Sequence, residues 1–257
     1  MMHTIDWQMP WLAPIAGLGK EVAHQVQSGT SVADALNALV DTGQAPDPGV
    51  RFVPQAGLPP GMAYEQFIFE RAQVPTRDNL HDFFNGLVWL HHPQAKRRMS
   101  QIHGSAVAAQ GVGATRGPLR DALTLLDENG ALLLAPDALW QALAARQWQR
   151  LFIDLRPLWR QARLVLVGHA LMEKLVMPRK PMVTHVYRPP PALAVPPDAP
   201  LDAWLAAALD AGHLRTKPFA PLPVLGVPGW WPDNENFLFY ADSAVFRPAR
   251  QYTGTKV

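Results

Sequence analysis

The chain of 257 residues carries 26 prolines and nine tryptophans, and only 17% of its residues are charged, against a usual ~5% proline and ~25% charge. A hydrophobic fraction of 48% supports a real core and excludes a disordered tail, and the length suits one domain, or one domain with a lobe. The absence of cysteine excludes a disulfide framework, a thiolate nucleophile and every Cys-containing zinc site, while a formal charge of +2 is too small for the footprint of a nucleic-acid binder.

Met1–Gly19 lacks a basic start and carries Asp6 and Pro10, so it does not read as a signal peptide. No run supplies the ~20 apolar residues of a membrane helix, and a cytoplasmic protein is the expectation. Trp7–Gly19 reads as an irregular aromatic lead-in. Thr30 or Ser31 is placed to cap a helix with Val32, Leu36, Leu39 and Val40 on its inner face. A Gly/Pro-rich loop follows over 43–62, and the partial alternation of Tyr64–Arg71 suggests a strand.

Thr76–His92 is the clearest helix, ended by Pro93. At ~100° per residue, Leu80, Phe83, Phe84, Leu87, Val88 and Leu90 form its apolar face. Asp78, His81, Asp82, Asn85, Trp89 and His92 fall opposite. These short-armed polar side chains suit fixed hydrogen bonds or metal ligation, and a neighbouring carboxylate can orient the imidazole of His81. The same residues could instead tie down a buried loop. Lys96-Arg97-Arg98 reads as a solvated basic turn.

Further along, Arg116 and Arg120 are candidates to clamp an anion. Asp127-Glu128-Asn129-Gly130 lies between Leu123–Leu126 and Ala131–Leu134, and an Asn-Gly pair between apolar runs predicts a hairpin. Leu164–Val167 fits either a buried strand or part of a helix. If it is a strand, Gly168 makes the turn into a helix starting at His169, where the helix dipole keeps the ring neutral. His169 and Glu173 stand four residues apart on that helix, able to share a metal or form an orienting hydrogen bond. His185 could add a third histidine.

A Pro-rich connector spans 187–200, Leu201–Leu209 is a short helix, and 217–250 reads as an extended Pro/aromatic segment packed on the body. Five tryptophans (7, 11, 204, 230 and 231) lie near the two ends, which suggests that the termini clasp a helical centre.

Four blocks, PTRDNLHDFFNGLVW, RGPLRDALTLLDENGALL, GHALMEKL and PLPVLGVPGWW…FYADSAVFRP, resemble the bacterial family catalogued as domain of unknown function 3025. They lie in family order over roughly 64–248. The resemblance implies a bacterial, cytosolic protein and brings no activity with it. Its hallmark positions include His81, Asp82, Asn85, Arg120, Asp121, Asp127, Glu128, His169 and Glu173. The pair His91-His92 departs from the aromatic-Pro pair of the family.

The expectation is therefore a single α+β domain, mainly helical, with a small antiparallel sheet at the 123–134 hairpin. The expected function is metal-assisted hydrolysis in a His/Asp/Glu cleft. His81, His169 and Glu173 would hold a divalent metal, with Asp82 or Asp121 as base and Arg120 as anion clamp. Asn85, Asp127 and Glu128 would line the binding site. The alternative is a non-catalytic protein that binds a small molecule or a protein, its polar residues forming a buried network. Solvent access to the polar stripe separates the two.

Overall fold

The structure, a computed structural model, describes residues 2–110, 117–190 and 200–249. Arg116 and most of the 187–200 connector lie outside the described residues. The lead-in forms two short 3-10 turns, Met2–Thr4 and Pro10–Ile15, before α1 (Ala16–Gln27). Helix α2 (Val32–Asp41) starts at Ser31, whose side chain accepts from the Asp34 amide. Asp78 accepts from the Val32 amide at 2.7 Å, so it serves the start of α2 and not a site.

Strand β1 (Arg51–Pro54) interrupts the 43–62 loop and pairs in parallel with β2 (Gln73–Thr76). Between them Tyr64–Arg71 is a helix, α3, not the expected strand. The alternation is not carried into the burial, since Phe67 and Ile68 are both buried while Phe69 is exposed. Helix α4 (Leu80–His91) is shorter than the pattern suggested, because Thr76 belongs to β2 and Asn79 is the cap, accepting from the Asp82 amide at 2.8 Å.

Pro93 ends α4 and also opens α5 (Pro93–Gln110), since proline is well suited to the first helical position. The basic triplet therefore lies within a helix, and Lys96 is buried. The expected hairpin is absent: Leu123–Leu126 belongs to α6 (Pro118–Asn129), which runs straight into β3 (Gly130–Leu134). The Asn-Gly signal marks a helix-to-strand junction here. After α7 (Asp137–Ala144) come a π-helical turn over Arg150–Asp154 and β4 (Arg163–Leu166). Gly168 then leads into α8 (His169–Lys174). β5 (Val183–Tyr187), α9 (Leu201–Ala208), α10 (Ala211–Arg215) and β6 (Phe219–Pro223) complete the regular elements.

The main sheet has the order β4-β3-β5-β6. It is mixed rather than antiparallel: β3 pairs antiparallel with β4 but parallel with β5, setting Gly130 opposite His185. The fold is α+β and mainly helical, with α6 and α8 packed together beside the sheet and α4 against α8. The two ends of the chain meet where Trp11 packs on Trp230, ring centres 6.0 Å apart. Beyond β6 the chain forms 3-10 turns held by Arg156, which donates to the Tyr240 hydroxyl at 3.1 Å and to Asn234 at 3.2 Å. Among the described residues, no helix is long and apolar enough to cross a membrane.

Candidate metal centre

Helices α3, α4, α5, α6 and α8 surround a cleft of about 350 Å³. Its position follows from a close crossing of two chain segments. The amides of Val167 and Gly168 donate to the Gly130 carbonyl at 2.9 and 2.8 Å. A Cβ on Gly168 would lie 2.5 Å from the Gly130 nitrogen, and one on Gly130 would lie 2.3 Å from the Leu126 carbonyl oxygen. Neither residue has a positive φ (−69° and −81°). The requirement is closeness of approach, not backbone conformation. The crossing sets the first residue of α8 against the last turn of α6, and so His169 beside Asp127 and Glu128.

The rings of His81 and His169 meet edge to face, with Nε2 to Nε2 at 3.1 Å. Glu128 Oε1 stands 3.8 Å from the same nitrogen of His169. One ligand atom from each of His81, Glu128 and His169 lies within 4.8 Å of the others. Tetrahedral ligands on bonds of ~2.0–2.1 Å stand ~3.3 Å apart, so small adjustments bring the three onto one ion. Behind His81, Nδ1–H donates to Glu173 Oε2 at 3.0 Å. A carboxylate only accepts, so the hydrogen belongs on Nδ1 and the lone pair of a neutral ring on Nε2, facing the cleft.

Glu173 was expected as the third ligand, partnered with His169. The third carboxylate is instead Glu128, and Glu173 orients His81 from outside. Four-residue spacing on α8 put His169 and Glu173 near one another, but only the fold could bring α6 opposite. His185 is not a member of the group, because β5 carries it to the register position opposite Gly130.

Burial holds the His169 imidazole down to about 4, against the opposing pull of Asp127, so the ring is neutral at pH 7. Burial would raise Asp127, but the charge and hydrogen bond of Lys96 outweigh it and keep this carboxyl low. Glu128 moves up, first through burial and then through Asp127 beside it.

A second chain of contacts crosses the floor of the cleft. Lys96 Nζ donates to Asp127 Oδ1 at 2.5 Å and to Asn85 Oδ1 at 2.9 Å. Asn85 Nδ2 donates to the Tyr64 hydroxyl at 3.0 Å. Burial, with Asp82 and Asp127 nearby, pushes the Tyr64 phenol up, which keeps it protonated. The ammonium also sits over the Trp89 ring, 5.2 Å from its centre.

Asp82 borders the cleft, yet both its oxygens are engaged. Oδ2 accepts from the Arg77 amide and Nε at 2.6 and 2.9 Å, and Oδ1 from Nη2 at 3.0 Å. It latches the turn after β2 to α4, and three of its acceptor positions are already taken by Arg77. Arg120 and Asp121 do not reach the cleft. Arg120 Nε donates to His103 at 3.2 Å, and Asp121 pairs with Lys217 on the outer face of α6. Both sit in the first turn of α6, whereas Asp127 and Glu128 sit in its last, some 9 Å further along a helix rising ~1.5 Å per residue.

Tyr64 and Lys96 were missed as site residues. Lys96, Ser100 and His103 line the cleft at the i, i+4, i+7 spacing of one helical face, a signal hidden by reading Pro93 only as a terminator.

The molecule is thus a mainly helical α+β protein whose cleft carries a candidate two-histidine, one-carboxylate metal centre. The chain belongs to the family described as proteins of unknown function, DUF3025, which matches over residues 50–250. The match takes in every residue of the candidate centre. No curated protein matches the chain, and no solved structure does.

Proposed function

We propose that the chain is a metal-dependent hydrolase. His81, Glu128 and His169 hold a divalent cation of the zinc type, and a water on its remaining position faces the cleft. The observation that carries this reading is the Nε2-to-Nε2 approach of two histidines from separate helices, with Glu173 holding the back of one ring. Two histidines and one carboxylate are a donor set that catalytic zinc sites use, with an open fourth position. A cation there lowers the pKa of its water to near neutrality. The water oxygen attacks the electrophilic centre of the substrate, the bond from that centre to the leaving group breaks, and one proton of the water ends on the leaving group. The overall reaction consumes water alone.

The competing reading, a sealed structural network, is disfavoured by access. The side chains of His81 and Glu128 are 31% and 35% exposed, and both open into the cleft. The Arg77–Asp82 latch, by contrast, is structural.

The test is elemental mass spectrometry on protein stripped with chelator and reloaded with zinc or manganese. One equivalent should be retained by the wild type and lost in His81→Ala and Glu128→Gln, with the circular-dichroism spectrum unchanged and unfolding still cooperative. A stripped wild type that takes up no stoichiometric metal sinks the proposal.

A further inference from the structure

The charges and the apolar lining of the cleft narrow the substrate, on the footing of the metal-dependent reading above. Four carboxylates line it, Glu65, Asp82, Asp127 and Glu128, against two cations, Arg77 and Lys96. Each cation is already committed: Arg77 to both oxygens of Asp82, and Lys96 to Asp127 and Asn85. A divalent ion brings the formal balance only to zero. Phosphoryl transfer needs cationic groups to neutralise three equatorial oxygens, and among the described residues the cleft lining offers no cation that is not already paired with a carboxylate.

The lining also holds an apolar set, Leu58, Ile68, Trp89, Met99 and Leu123 with the ring of Tyr64. At about 350 Å³ the cleft stands at the small end of the ~300–1,000 Å³ range of ligand pockets. We infer that the substrate is a compact amide or ester with an apolar acyl or aryl group and at most one negative charge, and not a phosphate ester. The apolar group lies against this set of side chains, with the carbonyl at the metal. Water adds its oxygen to the acyl carbon, the bond from that carbon to nitrogen or oxygen breaks, and the amine or alcohol leaves with the proton.

The test compares acetohydroxamate, hexanohydroxamate and phenyl phosphate by calorimetry on zinc-loaded protein, after metal content has been measured separately. Hexanohydroxamate should bind tighter than acetohydroxamate by on the order of tenfold or more, from four additional methylenes at ~0.8 kcal/mol each when fully buried. Phenyl phosphate should bind more weakly than either. Leu58→Asn should shrink the chain-length preference while leaving zinc stoichiometry intact.

If the protein holds no zinc, the hydrolase reading fails by that measurement. The apolar set is then tested on metal-free protein by ligand-observed NMR with hexanamide, acetamide and phenyl phosphate, where hexanamide should still bind best. In either protein, a lack of chain-length preference overturns the inference, as does phosphate binding that matches the long-chain compound.

Discussion

Glu173 and Glu128 contribute to one centre in different ways, and substitution separates them. Glu173 touches only the far nitrogen of His81, so Glu173→Gln preserves a hydrogen-bond partner while removing the charge that fixes the ring. Zinc affinity should fall by about 10–100-fold, the usual cost of losing such a partner, without a change in stoichiometry. A competition titration against a chromophoric chelator measures it.

Lys96 and Asp127 are coupled through burial. Lys96→Met leaves Asp127 unpaired beside Glu128 and should destabilise the fold by about 3–5 kcal/mol. Adding Asp127→Asn removes the stranded charge and should recover much of that loss. Urea denaturation of the two single variants and the double variant gives the coupling directly, and additive losses would contradict it.

Among elements, the decisive contact is the crossing of the β4–α8 and α6–β3 junctions. Gly168→Ala forces a methyl group to 2.5 Å from a backbone nitrogen, and backbone cannot yield as a side-chain end can. The two junctions must separate, carrying His169 away from Glu128. We expect a stability loss of about 2 kcal/mol or more and much weaker zinc binding. An alanine variant with wild-type metal affinity would show that the crossing does not set the site.

The residues flanking this crossing explain what was legible beforehand. Gly168 as the turn into a helix at His169 could be read from a buried apolar run followed by glycine. The polar stripe of α4 was visible at helical spacing, and the cap at Ser31 followed from local chemistry. Asn129-Gly130 misled, because glycine between apolar runs serves a tight turn and a close crossing equally well. Lys96 was invisible for a related reason: no local pattern tells a buried lysine from a solvated one when its partner, Asp127, is 31 residues away.

On the scale of the whole molecule, acid should unfold the protein through its buried histidines. His92 is 2% exposed and neither ring nitrogen has a hydrogen-bond partner. Burial, then His91 and Arg163, lowers it to about 3. In the unfolded chain it titrates near ~6.5, so the unfolded state binds the proton first. Its contribution is complete above that pH and is lost as pH falls towards 3, at about 1.4 kcal/mol per pH unit across the interval. His169, lowered to about 4, acts with the same sign, and so does His91. Unfolding free energies from pH 8 to 4 should decline below pH 6.5, and His92→Leu should flatten the decline. Equal slopes for the two proteins would exclude His92 as a source.

The two facing imidazoles lie 88 residues apart in the chain. A cation held between them closes a loop of that length, as a covalent bridge would. By the chain-entropy relation for cross-links, closing it removes freedom from the unfolded ensemble worth about 4–5 kcal/mol. This is a protein without a single cysteine. The metal would be a long-range staple, and withdrawing it with a chelator would lower the melting temperature as well as silence the proposed chemistry.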